Sequence, residues 1–269
     1  ESIFVPAMIK ALINNQWESI PKENLQLGTD TFSFSSGLYE TFRTLDFKPV
    51  FLQPHLDRLF SSANRIGLNI QFTQSDILDM LSKVIHDFQD PNQRVRILAV
   101  PNKLIVYTSY LNLDPSIYNG VCVITIEASR AHPEIKTTDY HACLTAWKAA
   151  VNAECFEAIL MDGSGILYEG SRSNLFWVKD AKLFTRKEDV LPGTTRQIII
   201  NHSSVSIQYN TLNSMDLSNI DEVFLTNSGS GIIPVTSINN KNVGNGSVGI
   251  ITCQLLSKYN EWMLKDIAR

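Results

Sequence analysis

The chain has 269 residues, a formal net charge of −4, 44% hydrophobic residues and 19% charged residues. That length fills one large or two modest domains around a sizeable core. It carries no clustered Lys/Arg footprint for nucleic acid, no apolar run near membrane-spanning length, and no basic region followed by an unbroken apolar core in ESIFVPAMIKALINNQ, so that start does not read as a signal peptide. Cys122, Cys143, Cys155 and Cys253 are scattered, with no CxxC and no histidine at metal-ligand spacing. They read as buried, reduced thiols of a cytoplasmic protein that holds no metal.

In chain order, residues 12–17 (LINNQW) read as strand, Asn turn and strand. Polar and apolar residues alternate over Leu38–Phe42, which predicts a strand through Tyr39–Thr44; LDFKP is a turn and PVFLQ a short strand. Pro54 opens a helix, where its missing N–H is not needed. Leu56, Leu59, Phe60, Ala63 and Ile66 follow at helical spacing, and Gly67 closes it. Ser75 is read as the cap of a second helix, with Ile77, Leu78, Leu81, Val84, Ile85 and Phe88 on one face. Arg94–Val100 and Lys103–Tyr110 read as strands joined at Pro101–Asn102.

Residues 112–119 contain Pro115 and no regular pattern, and mark a domain junction. The expected division is a smaller N-terminal domain over 1–112, a linker over 113–119 and a larger C-terminal domain over 120–269. The second domain opens with the strand VCVITIEA and a helix from about Tyr140 to Cys155. Hairpins follow, turning at Asp162–Gly165 and Asp180–Ala181. A helix begins near Thr194, Val223–Thr226 is a strand, and the stretch from Gly249 onward is amphipathic and helical. The class is α+β with two domains, and a cleft between two domains is a usual ligand site.

Four segments carry one chemistry: PEIKTTDY around Lys136, YEGSRSN around Glu169, LPGTTRQ around Thr195 and LTNSGSGIIPV around Ser228. A fifth, GLYETFR followed by PHLDRLFSSANRIG, contributes Arg58 and places His55 near it. A lysine, an acid and small polar clusters in that order are what a pyridoxal phosphate site needs. The lysine must be partly neutral to attack the cofactor's aldehyde, and desolvation supplies that. Lys136 and Lys148 are both candidates on chemistry alone; Lys148 sits in the amphipathic LTAWKAAV, where a snorkelling surface lysine is an easy explanation. Gly193, Thr194 and Thr195 at a helix N-terminus suit an anion, and Arg58 offers a bidentate-capable cation. Neither a P-loop nor a dinucleotide glycine fingerprint is present.

From about Ile13 to Val235 the chain resembles the fold-type IV, or class IV, pyridoxal phosphate enzymes. That class contains branched-chain and D-amino acid aminotransferases and aminodeoxychorismate lyases. The spacing within the family singles out Lys136, which precedes Glu169 by 33 residues with Tyr140 just after it. The resemblance implies pyridoxal 5'-phosphate as cofactor and Lys136 as the catalytic residue. It places Glu169 at the ring nitrogen, Tyr140 toward the ring oxygen, and Asn174 in the turn that lets the ring approach. Arg58, Gly193, Thr194, Thr195 and Ser228 then serve the phosphate. Arg172, inside the GSRSN turn, has no role on this reading.

The chain departs from many family members where the substrate would be gripped. Many members have a longer loop after the strand equivalent to Val95–Ala99, with an arginine for the substrate carboxylate; here it is cut to Val100-Pro101-Asn102. Arg43, Arg94 and Arg96 are the nearby alternatives. Phe34, Tyr39 and Tyr107 are candidate pocket residues, or plain core. The Asn227-Ser228 pair is more like the lyase branch than the Gly-Thr of branched-chain enzymes.

The expected function is transamination from an amino acid, branched-chain included, to a 2-oxo acid. A lyase making 4-aminobenzoate and pyruvate from aminodeoxychorismate is the alternative. A third reading, a catalytically silent binding or structural relative, rests on the missing arginine. The resemblance also implies a homodimer, with Phe32 and Phe34 near a shared cleft. No nucleic-acid or membrane partner is expected.

Overall fold

The computed structural model describes residues 8–268. The first seven residues of the segment weighed as a signal peptide, and Arg269, lie outside the described residues. The chain divides into two compact units. The first runs to Asn112 and also takes in Ile135–His141; the second holds Leu113–Glu134 and Ala142–Ala268. The sequence had placed 135–141 with the C-terminal half. Backbone pairing accounts for the difference: Tyr39 N donates to Lys136 O at 3.0 Å and Thr138 N to Gly37 O at 2.8 Å, while Ile135 is buried in the first unit's core.

In the first unit, β1 (Met8–Ile13), β2 (Gln16–Pro21), β3 (Leu38–Leu45), β4 (Lys48–Pro49), β5 (Gln93–Val100) and β6 (Lys103–Tyr110) form a sheet in the order β2-β1-β6-β5-β3-β4. The pairs within it are antiparallel. Side chains alternate between its faces. One face, with Phe42, Val95 and Ile97, packs on α1 (Leu52–Ile66) and α2 (Gln74–Asp87). The other carries Tyr39, Leu98, Ile105 and Tyr107.

Two sequence expectations fail here. PVFLQ is not a strand: β4 stops at Pro49, and Phe51 turns into the left-handed region (φ 50°), so α1 starts at Leu52 with Pro54 in its first turn. Nor does Ser75 cap α2. Thr73 does, accepting from Asp76 N at 3.2 Å while Asp76 Oδ2 accepts from Thr73 N at 2.8 Å, a reciprocal pair that satisfies two donors.

In the second unit, a mixed sheet begins with β7 (Val121–Glu127), β8 (Glu157–Met161), β9 (Ile166–Gly170), β10 (Asn174–Lys179) and β11 (Lys182–Thr185). It adds β12 (Ile207–Tyr209), β13 (Leu212–Asn213), β14 (Glu222–Asn227), β15 (Gly231–Ile238) and β16 (Lys241–Asn242). Its order is β12-β11-β10-β14-β15-β7-β8-β9-β13, with β16 on β15. Helices α3 (His141–Asn152), α4 (Thr194–His202) and α5 (Ile250–Ile267) complete it.

The hairpin turns lie where Gly and Asp placed them. Asp162 Oδ1 accepts from Ser164 N and Ile166 N, and Asp180–Ala181 both take positive φ. Val123, Ile159, Leu175, Val223, Leu225 and Ile233 are buried in its core. Among the described residues no helix is long and apolar enough to cross a membrane.

Candidate active site

In the first unit a buried carboxylate anchors the end of α1. Glu40 on β3 is 1% exposed. It accepts from Arg58 Nε at 2.7 Å on one oxygen; Arg58 Nη2 at 2.6 Å and His55 Nδ1 at 2.7 Å donate to the other. His55 and Arg58 are three apart on α1 and so share a face. Burial pushes the Glu40 carboxyl up, but the charge and hydrogen bonds of Arg58, with those of His55, outweigh it and hold it down at about 2. Burial also pulls His55 below its ordinary value against the pull of Glu40, with the charges of Arg58 and Lys136 acting the same way as burial. A neutral His55 donating to an ionised Glu40 follows. The Nε–Nη2 edge of Arg58, expected for a phosphate, is therefore given to Glu40; any grip on an anion runs through the other guanidinium edge.

On the opposite sheet face of the same unit, Lys136 Nζ lies 4.4 Å from the centre of the Tyr39 ring. Tyr140 meets that ring edge-on at 6.0 Å. Arg96 sits 5.5 Å from it, opposite Thr41 and Tyr107 in register, and its Nε donates to Thr41 Oγ1 at 3.2 Å. Phe32 and Phe34 meet each other edge-on at 5.8 Å and pack against the cluster that holds Tyr39 and Tyr107. The structure thus brings together Lys136, Tyr140, Tyr39, Arg96, Tyr107 and Phe34. Arg94 and Arg43 pair two positions further along the strands, with Arg94 exposed. Lys148, the rival lysine, is exposed on α3.

In the second unit Glu169 is the last residue but one of β9, 4% exposed. Its Oε1 accepts from Arg130 Nη1 at 2.6 Å, and its Oε2 from Asn174 Nδ2 at 3.1 Å and Leu191 N at 2.9 Å. Asn174 Nδ2 also donates to Leu191 O at 2.8 Å. This knot sets the entry to α4. A Cβ on Gly193 would stand 2.0 Å from Asn174 Oδ1, so glycine is what lets the loop close there.

Thr194 and Thr195 follow, buried, at an N-terminus with no side-chain cap bond. Thr226 lies opposite Asn174 in register, and its buried Oγ1 has no hydrogen-bond partner among the described residues. Ser228 sits in the β14–β15 turn, where Asn227 Oδ1 accepts from Gly229 N at 3.0 Å and Ser230 N at 2.7 Å.

Sequence reasoning missed Glu40, Arg130, Thr226 and Tyr259, whose hydroxyl is 3.3 Å from Thr195 Oγ1. Alternation along β3 opposite the α1 face could have found Glu40. Arg130 carries no local signal, because its partner is 39 residues away.

The amino-transferase class IV family model matches residues 37–238. A D-alanine aminotransferase of Staphylococcus epidermidis is 25% identical over 278 residues, covering 95% of this chain and 98% of its own length. The structure of the Escherichia coli branched-chain amino acid aminotransferase is 21% identical, with a TM-score of 0.81 and 95% of each chain covered. A Legionella pneumophila structure assigned as a 4-amino-4-deoxychorismate lyase is 24% identical, with a TM-score of 0.76, covering 88% of this chain and 94% of that one. These two structures are alike in fold.

Proposed function

The chain belongs to the amino-transferase class IV family, and on that premise we propose that it moves the amino group of an amino acid to a 2-oxo acid with Lys136 as the catalytic amine. The cofactor is pyridoxal 5'-phosphate. The residues present fit that group: a half-buried lysine, a buried carboxylate, a buried threonine hydroxyl with no protein partner among the described residues, and a cradle at Gly193 that any Cβ would fill.

When bound, the cofactor supplies an aldehyde that captures amines and a ring that accepts an electron pair from Cα. Lys136 Nζ would be the amine that holds that aldehyde in the resting protein and, with substrate in place, the base that takes the Cα proton and returns it. Glu169 holds a proton at the ring nitrogen, oriented by Arg130, Asn174 and Leu191 N. Tyr140 donates toward the ring oxygen. Backbone N–H groups and hydroxyls at Gly193, Thr194 and Thr195, with Ser228 and the outer edge of Arg58, serve the phosphate. Arg96, set between Tyr39 and Tyr107, receives the substrate carboxylate in place of the missing loop arginine, and Phe34 lines the same pocket. Arg43 is the weaker candidate for that carboxylate.

The observation that carries the proposal is the gathering of Lys136, Tyr39, Tyr140 and Arg96 while Lys148 stands in solvent. The Asn227-Ser228 pair favours a second reading, in which the chain releases pyruvate from aminodeoxychorismate and leaves 4-aminobenzoate. The family likeness supports a homodimer, and four free thiols, of which Cys143 and Cys155 are buried but Cys122 is half-buried and Cys253 exposed against expectation, fit a cytoplasmic setting; a clean monomer on gel filtration would remove the dimer.

The test is the visible spectrum of the cofactor-loaded protein with single amino acids. Loss of the long-wavelength band with particular amino acids, and its return with a 2-oxo acid, establishes the transaminase and names its donor. A band that no amino acid changes, with 4-aminobenzoate formed from aminodeoxychorismate, establishes the lyase. No band at all sinks both and leaves a binding relative.

A further inference from the structure

Glu157 on β8 is completely buried (0% exposed), and nothing in the proposed reaction uses it. A carboxylate in that position is costly unless its oxygens are filled. They are filled mainly from one turn. Ser171 Oγ donates to Oε1 at 2.5 Å, Arg172 N to Oε2 at 3.2 Å and Ser173 Oγ to Oε2 at 3.3 Å; Arg172 Nε lies 3.6 Å from Oε2, and Ala158 N donates to Oε1 at 3.0 Å. Three consecutive residues of the GSRSN turn are thus tied to one side chain.

The turn is held from its outer side as well. The Arg172 guanidinium lies 4.5 Å from the Trp147 ring centre, and its Nη2 donates to Phe156 O at 3.2 Å. Gly170 admits no side chain, because a Cβ there would stand 2.1 Å from Ser173 Oγ. The two residues that flank the 170–173 turn are Glu169 on one side and Asn174 on the other, and Asn174 Nδ2 donates back to Glu169 Oε2.

We infer that Glu157 is a positioning residue for the cofactor's ring: it fixes the 170–173 turn, and through it the Glu169–Asn174 pair. The inference rests on the reading that Glu169 meets the ring nitrogen. Glu222 supplies the matched control within the same unit. It makes the same kind of bonds at the start of α5, accepting from Ile251 N at 3.0 Å, Thr252 N at 2.7 Å and Thr252 Oγ1 at 2.7 Å, but it holds a helix end rather than the 169–174 turn.

The experiment compares Glu157→Gln, Glu222→Gln and Glu169→Gln in the full chain loaded with pyridoxal 5'-phosphate. It reads the cofactor's absorbance against pH, its dissociation constant and the melting temperature. Both Glu157→Gln and Glu222→Gln should lower the melting temperature. Only Glu157→Gln should also shift the absorbance titration in the direction of Glu169→Gln and weaken cofactor binding roughly tenfold. Combined with Glu169→Gln it should add no further spectral shift, because both act on one contact.

A Glu157→Gln spectrum like that of Glu222→Gln, beside a shifted Glu169→Gln, overturns the inference alone. An unshifted Glu169→Gln overturns the reading beneath it. Should Glu157→Gln fail to fold, Ser171→Ala removes the shortest of the bonds and leaves the carboxylate in place. A smaller shift of the same sign is expected there, and an unchanged titration overturns the inference.

Discussion

Glu40 and Glu169 are both buried carboxylates gripped by an arginine, and they differ in where the grip comes from. The partners of Glu40 are two side chains on one helix, His55 and Arg58, which fill both oxygens from a single rigid element. The partners of Glu169 come from three stretches of chain, at Arg130, Asn174 and Leu191. A carboxylate held by one helix face is a packing device that comes with the fold. One held by three separate stretches has its position set only when those stretches come together, which suits a group that must meet a reacting ring. The first should therefore dominate stability and the second should dominate cofactor chemistry.

The largest expected effect follows from breaking the first network. Glu40→Ala leaves Arg58 without its buried partner and should cost about 3–5 kcal/mol in urea unfolding. A loss well under 1 kcal/mol would mean the network holds nothing. Acid should act on the same residues. Native His55 lies below 6.5 and native Glu40, at about 2, below 4.5, so the unfolded chain binds protons that the native chain refuses. Their contribution is complete above pH 6.5. It falls with acid, first through His55 below 6.5 and then through Glu40 between 4.5 and about 2. Urea midpoints taken down the pH scale should fall in that order, and Glu40→Gln should flatten the lower part. A native midpoint unchanged from pH 6.5 to 3 would contradict the assignment.

Arg130→Met should cost less stability, about 1–3 kcal/mol, because Asn174 and Leu191 N still hold Glu169. Its clearer mark should be a shift in the bound cofactor's absorbance titration, which Glu40→Ala should not reproduce in kind. Equal spectral effects from the two variants would erase the distinction. Smallest is Thr73→Ala at the start of α2, about 1 kcal/mol by melting, with both networks and the cofactor spectrum unaffected.

The same contrast explains what could be read from the sequence. Elements with strong local signals were legible: Lys103–Tyr110, the Asp162 and Asp180–Ala181 turns, and α4 at Thr194. Ser75 and Thr73 look alike as caps because both are hydroxyl residues, and only the reciprocal bond to Asp76 tells them apart. The partner of Arg58 was not legible, since a helix-face arginine looks alike whether it faces an anion or a buried glutamate. Arg130 and Glu157 were invisible for a further reason. Their bonds link residues 39 and 14–16 apart, and such pairings exist only once the strands are laid side by side.

The most direct test of the central claim is to load the full chain with pyridoxal 5'-phosphate, reduce it with borohydride and map the modified peptide. The account predicts the cofactor on Lys136, with Lys136→Ala left unlabelled and Lys148→Ala labelled as fully as the native chain. Label on Lys148, or label retained in Lys136→Ala, would contradict it.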